Sequence, residues 1–380
     1  MGSAAAYRLA KRGVSVIGID RFSPPHVLGS THGDTRITRQ AIGEGDDYVP
    51  LVLRSHQIWR EIETEMENDV FTACGALILT AASGKTVQHG GDDFFASTVS
   101  AARAYGIEHE VLSTEATRAR FPQFNLTEEH RCYYEPGGGF VRPEVAVAAQ
   151  LDLAARHGAR IQRMERVNHI DMTDSGVTVH SDRATYGADQ LILTAGPWIS
   201  QLAQSAVIEQ VCIVYRQALH WFDASETITT FTPDRMPVFI WGFGSGDRDM
   251  FYGFPAVDGI DGGLKVASEQ YESPSDPDDL RTDVTSDESR RMFGHCVEGR
   301  LPLRPAVIKS ASCLYTVTPD HQFIIDRHPE HSNALLASPC SGHGFKHSAA
   351  IGESLAQWAI DGSPAIDLSA FALRRFAQGN

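Results

Sequence analysis

The chain has 380 residues, 42% hydrophobic, 21% charged and 9% aromatic, a composition that suits about two folded domains and excludes disorder, collagen and coiled coil. Its 33 basic and 48 acidic side chains leave a formal charge of −15, which argues against nucleic-acid phosphate as the main partner. No apolar run reaches the roughly 18 residues of a membrane span. The first residues carry no apolar core of signal-peptide length, and six scattered cysteines without a C-x-x-C pair suit a reducing cytoplasm and neither a disulfide framework nor a zinc site.

Residues 3–12 read as an alanine-rich helix stopped by Gly13. Residues 14–20 read as a buried strand ending in Asp20. Helix, glycine, strand and acid form the second half of a βαβ nucleotide unit, and Gly2 stands where the last glycine of G-x-G-x-x-G would fall. A turn-rich stretch over 23–39 contains Gly29-Ser30-Thr31-His32-Gly33-Asp34-Thr35-Arg36. A helix follows from about Tyr48, with Pro50 in a permitted first-turn position and Leu51, Ile58 and Ile62 on one face. The pattern then predicts a strand over 73–80, helices over 92–105 and 143–157, and alternating strands over 159–180. An apolar strand over 188–195 runs into Gly196-Pro197-Trp198. Residues 215–222, 237–243, 250–254 and 263–267 look like antiparallel strands. The acidic stretch 272–287 reads as a solvated loop. A short strand over 334–337 precedes Ser341-Gly342-His343-Gly344-Phe345-Lys346, which opens the last helix, to about Ile360. Nucleotide-type pieces lie at both ends and in the middle, so the two domains are expected to interleave.

Several residues are candidates for chemistry. Asp20 is placed either to accept from a ribose hydroxyl or to serve as a solvated capping acid. Arg36 and Arg39 share one side of a helical turn if the segment is helical. There they would hold an anion or be ordinary surface arginines. The small residues around His32 let backbone approach a ligand closely. Lys346 sits at a helix start, where the dipole disfavours a cation; it either snorkels to water or meets an anion held there. Lys265 lies in an apolar strand, as an exposed edge lysine or as a buried charge that needs a task. Cys313 is one cysteine of six, and spacing gives no reason to prefer it.

Together these pieces resemble the monomeric sarcosine oxidase and N-methyltryptophan oxidase family of FAD-dependent amine oxidases. The resemblance spans essentially the whole chain. Its most telling stretches are DRFSPPHVLGSTHGDTRITR (20–39), YVPLVLRSHQIW (48–59), LILTAGPW (191–198), YGFPAVDGIDGGLK (252–265), SCLYTVTPDHQFIIDRHPEH (312–331) and SGHGFKHS (341–348). It implies a mixed α/β fold. A Rossmann-like FAD-binding domain (1–75, 140–212 and 300–380) would interleave with an antiparallel-sheet substrate domain (76–139 and 213–299).

The same resemblance implies FAD attached covalently through a Cys313 thioether. Asp20 would hold the adenosine ribose, and Ser30, Thr31 and Thr35 would line the cofactor, with Gly2, Arg21, Val167, Gly196, Gly342 and Gly344 completing its site. His32 and Arg36 would flank the flavin ring. Arg39 and Lys346 would clamp a substrate carboxylate as a planar fork and a point charge. Tyr252 and Tyr315 would line the substrate pocket, and Lys265 would activate oxygen at the flavin face. The implied reaction is oxidative demethylation of an N-methyl amino acid to formaldehyde, the primary amino acid and hydrogen peroxide. The implied protein is a cytoplasmic monomer without a metal. Glu269 departs from the family histidine, which changes pocket charge and substrate choice. The family also places a strand and its glycine turn before Gly2. Their loss would expose two strand edges and remove the pyrophosphate amides. The alternatives are an inactive, flavin-free homologue, an NAD-type dehydrogenase, or an oxidase of glycine or D-amino acids.

Overall fold

The computed structural model describes residues 1–82, 93–246, 248–279 and 283–376. The chain opens on helix Gly2–Lys11, which buries Ala4, Ala5, Ala6, Tyr7 and Ala10. Alanine suits this position because the helix packs against both Pro143–Arg156 and Ser348–Asp361, and small side chains let three helices approach closely. Arg8 is buried between Glu61 and Glu353, at 3.0 and 3.4 Å, and Arg54 reaches the same two acids at 2.8 and 2.7 Å. This ring of alternating charges joins the first helix to Val49–Met66 and to the last helix.

The nucleotide-type strands are short. Ile17–Ile19 runs parallel to Arg160–Gln162. Leu191–Leu193 runs parallel to Ala334–Ser338, which pairs antiparallel with Ile324–Arg327. These form two separate sheets. Only Ile17–Ile19 of the expected strand 14–20 joins a ladder. The strand expected over 73–80 begins only at Ala76 and runs to Ala81, with residues 73–75 outside it and a short separate strand, Phe71–Thr72, before them. Helix Phe94–Ala104 is capped by Asp93, whose side chain accepts from Ala96 N–H; the expected start at Asp92 lies outside the described residues.

The large sheet has eight strands, in the order Arg304–Val317, Ile213–Asp223, Leu264–Ala267, Met250–Gly253, Val238–Gly242, Ala76–Ala81, His130–Glu135 and Glu110–Leu112. The four strands expected to be antiparallel pair so with one another, while Val238–Gly242 also pairs parallel with Ala76–Ala81, so the sheet as a whole is mixed. The acidic stretch 272–287 is mainly exposed loop among its described residues, as expected. Its end forms helix Ser286–Met292 through a Thr285–Glu288 capping box, its residues 280–282 lie outside the described ones, and Asp278 is a hydrogen-bond hub. The Asp278 carboxylate accepts from Arg21, from Trp198 Nε1 at 2.9 Å and from Gln201 Nε2 at 3.3 Å.

Register gives the large sheet two unlike faces, because directly paired residues point to the same side. Leu264, Val266, Phe222, Phe239, Phe251 and Trp241 pack into an aromatic core on one side. The pairs Gln217–Cys313, Tyr215–Tyr315, Trp221–Lys265, Leu219–Ala267 and Ala267–Tyr252 set the other. Cys313, Tyr315, Lys265 and Tyr252 therefore share one face although they are up to 63 residues apart.

Candidate active site

Lys265 lies on an inner strand and is 3% exposed, so it is not an edge lysine reaching for water. Its ammonium donates to the Gly33 and Thr35 carbonyls at 2.6 and 2.7 Å and lies over the Phe254 and Trp221 rings at 4.5 and 5.4 Å. Burial, then the nearby Arg36 charge, holds its pKa well below that of a free lysine.

The segment carrying Gly33 and Thr35 crosses this sheet face. Gly33 has φ +98°, and a Cβ there would meet Leu219 Cδ1 at 2.8 Å. Only glycine lets the loop lie so close to the sheet. Glu144, in the first turn of helix Pro143–Arg156, pins the loop by accepting from Gly33 and Asp34 N–H at 2.5 and 3.2 Å. Ser30 Oγ donates to the Leu314 carbonyl, tying the loop to the Cys313 strand, and Thr31 is half-buried beside it. His32 is buried, and its Nε2 has no hydrogen-bond partner among the described residues. Burial, Arg36 and Lys265 lower its pKa to about 3, so its imidazole is neutral at working pH.

Arg36 and Arg39 do not share a helical turn. Arg36–Thr38 is a strand paired with Gly139–Val141, so a three-residue spacing sends the two side chains to opposite sides. Arg36 donates to the Thr35 and Ser30 carbonyls, both at 2.9 Å, and faces Cys313, Tyr315 and Tyr252. Arg39 is buried over the Phe94 ring at 4.8 Å and donates to the Ala41 carbonyl and the Glu44 carboxylate.

Lys346 is 5% exposed and does not snorkel. It donates to Glu44 Oε1 at 3.3 Å and to the His343 carbonyl at 2.9 Å. Burial lowers its pKa to about 8, against the opposing pull of Glu44. The anion between Arg39 and Lys346 is thus the chain's own Glu44, a residue missed in the sequence. Its signal was an acid between two glycines, Gly43-Glu44-Gly45, five residues after Arg39.

The remaining residues fall into two groups. Tyr252 and Tyr315 meet with their hydroxyls 3.3 Å apart. Glu269 is half-buried two residues past the Lys265 strand and faces Tyr271, Tyr252, Tyr315 and Lys346 electrostatically. Gln217 clasps the next residue, accepting from Gln270 N–H at 2.8 Å and donating to its carbonyl at 2.6 Å. Gly342 and Gly344 turn the chain from the Ala334–Ser338 strand into the Lys346 segment. At Gly344 a Cβ would lie 1.7 Å from the Pro339 carbonyl oxygen, so no other residue fits. Ser341 N–H donates to the Thr316 carbonyl at 2.9 Å, which joins this turn to the Cys313 strand.

The second group surrounds the ends of the parallel strands. Asp20 follows Ile17–Ile19 and accepts from Phe22 N–H at 2.8 Å. Gly2 abuts Thr194, two residues before Gly196. Val167 packs with Ile19 in one apolar cluster. Arg21 is engaged by Asp278 and stacks over Phe22 and Trp198 at 5.3 and 5.5 Å. Ligands of open α/β sheets bind at such carboxyl ends.

Comparison with known proteins agrees with this architecture. The pattern of the FAD dependent oxidoreductase family matches residues 1–358. The chain is 36% identical over 378 residues to the monomeric sarcosine oxidase of Streptomyces avermitilis, covering 99% of this chain and 95% of that one. It is 32% identical to the N-methyl-L-tryptophan oxidase of Salmonella typhimurium, covering 100% and 97%. Among solved structures, NikD, an amino acid oxidase of nikkomycin biosynthesis, superposes with a TM-score of 0.81 at 22% identity, covering 97% of this chain and 94% of that one. L-proline dehydrogenase from P. horikoshii gives 0.81 at 19%, covering 100% and 95%. The chain belongs to the FAD-dependent oxidoreductases, in the branch that holds monomeric sarcosine oxidase and N-methyl-L-tryptophan oxidase.

Proposed function

We propose that the chain is an oxidase of secondary N-methyl amino acids, of sarcosine or N-methyltryptophan type, yielding formaldehyde, the primary amino acid and hydrogen peroxide. The observation that carries this reading is the pairing of one buried lysine on the Cys313 sheet face with a buried Arg39–Lys346 pair built around a carboxylate. We further propose the interleaved domains given above, a monomer and a cytoplasmic location.

The residues present fit FAD. The unpartnered His32 Nε2 and the loop that Gly33 lets lie against the sheet offer a polar atom and close backbone approach to a flat ring. Cys313 would tether it, Asp20 and the strand ends would take its nucleotide half, and Arg36 would lie beside the ring. A bound flavin would supply the two-electron oxidising power that the N-methyl carbon–hydrogen bond requires.

The chain's own residues then bind and orient. Arg39 and Lys346 would hold the substrate carboxylate, with Glu44 as its built-in competitor. Tyr252 and Tyr315 would wall the amine side and exclude water. Lys265 supplies a fixed donor held by two carbonyls, suited to charge that develops at oxygen. Glu269 adds negative charge to the amine side and so shifts substrate choice.

An amine panel read by peroxide tests the reading. Peroxide from N-methyl amino acids supports it. NADH production without oxygen uptake points to a dehydrogenase, and activity confined to glycine or D-amino acids redirects the substrate class. If the purified protein binds no flavin and oxidises nothing, the reading fails.

Glu44→Gln removes the internal anion, so KM for a carboxylate substrate should fall about three- to tenfold. Lys346 is a cation below about pH 8 and loses its charge above it. KM should therefore rise about tenfold between pH 8 and 10, and Lys346→Met should flatten that rise. Stability runs the other way. Between about 8 and the ordinary 10.5 the unfolded chain binds the extra proton, so this group's contribution to stability rises with pH. A pH series of KM and of melting temperature checks both signs.

A further inference from the structure

Glu135 is a carboxylate with no exposed surface, outside every role assigned so far. It ends strand His130–Glu135, and the pairs Ala76–Glu135, Ile78–Tyr133, Ile240–Ile78 and Ile240–Tyr252 carry its side chain onto the Lys265 face of the sheet. There it crosses to the segment that follows Arg39. Its two oxygens accept from Gln40 N–H at 2.5 Å and Ala41 N–H at 3.0 Å, and Tyr133 Oη donates to it at 2.9 Å. Arg39 closes the loop from the other side by donating to the Ala41 carbonyl. A charge without exposure is expensive, and burial does push this carboxyl's pKa up. The three donors and the Arg39 charge work against that cost. Bonds from a carboxylate to backbone N–H are strong and directional, and losing them would leave the buried Ala41 amide and the half-buried Gln40 amide unpaired.

We propose that Glu135 is a positioning residue for the carboxylate clamp. It fixes the Gln40–Ala41 segment by its two N–H groups, and the Ala41 carbonyl of that segment seats the Arg39 guanidinium, so Glu135 sets where Arg39 presents its fork without touching substrate itself. This rests on the reading of Arg39 as a substrate-carboxylate ligand.

The test compares wild type, Glu135→Gln, Arg39→Ala and the double variant, all as flavin-loaded full-length protein. The readouts are KM and kcat on the best N-methyl amino acid of the panel and inhibition by acetate as a bare carboxylate probe. Glu135→Gln keeps the shape but replaces one acceptor oxygen by a donor facing an amide. It should raise KM and the acetate inhibition constant about tenfold and change kcat by less than about twofold. In the Arg39→Ala background the same substitution should change KM by less than about twofold, because residues acting through one another are not additive.

Full additivity, or a fall in kcat with KM unchanged, overturns the proposal. If Arg39→Ala itself leaves KM unchanged, the reading of Arg39 fails, and this proposal with it. If Glu135→Gln does not fold, Tyr133→Phe removes one bond to the carboxylate and leaves the rest. It should raise KM about two- to threefold at constant kcat, and an unchanged KM counts against the proposal.

Discussion

Replacing Cys313 by serine should move all yellow colour from the acid-denatured polypeptide to the supernatant, whereas wild type should keep it on the chain. Cys313 is 2% exposed and sits on the sheet face between Tyr315 and the Lys265 side. Burial raises its thiol pKa, while Arg36 and Lys265 pull it down. Neighbouring cations favour the thiolate, the nucleophilic form. Cys340 is the natural control. It packs in the same cluster, and its sulfur lies 3.4 Å from Thr316 N. Cys340→Ser should leave the colour on the chain. Free flavin from denatured wild type would sink covalent attachment, and loss of colour only in Cys340→Ser would move it to the other thiol.

The second large effect is expected at Lys265. Lys265→Met keeps the stem but removes the ammonium, and oxygen uptake should fall about 10²- to 10³-fold, the scale of losing one preorganised donor. The Gly33 and Thr35 carbonyls would lose their partner, which costs about 1–3 kcal/mol of stability. Melting temperature must therefore be read alongside oxygen uptake. Lys265 is held well below the ordinary lysine pKa by burial and Arg36. Activity that needs its cation should fall as pH rises through that lowered value, and Lys265→Met should lack this limb. Full oxygen uptake by a folded, flavin-loaded variant would remove Lys265 from the chemistry.

Periodicity located the long helices well because Leu51, Ile58 and Ile62 bury one stripe. It also found the Lys265 strand, but one strand's pattern does not say whether it is an edge. That depends on Ile213–Asp223 and Met250–Gly253 lying on either side. The Arg36–Arg39 spacing misled because a three-residue step means one side in a helix and opposite sides in a strand. The 14-residue Cys313 strand passed unnoticed because its first half, Arg304 to Ser310, is exposed and lacks a clean alternation. Glu44 and Glu135 were invisible for another reason. Their meaning lies in partners brought close by folding, Lys346 at 302 residues and Gln40 at 95.

Lys265 meets Gly33 and Thr35 across 232 and 230 residues of chain, and its sheet face is completed by a strand that begins at Arg304. Contacts so distant repay the entropy of loop closure only after most of the chain has been ordered. The pocket face therefore cannot be completed before the strand Arg304–Val317 has been made. The thiol of Cys313 would meet its flavin only on a finished fold, and protein synthesised without the vitamin should accumulate as a folded, colourless precursor that colours on later supply.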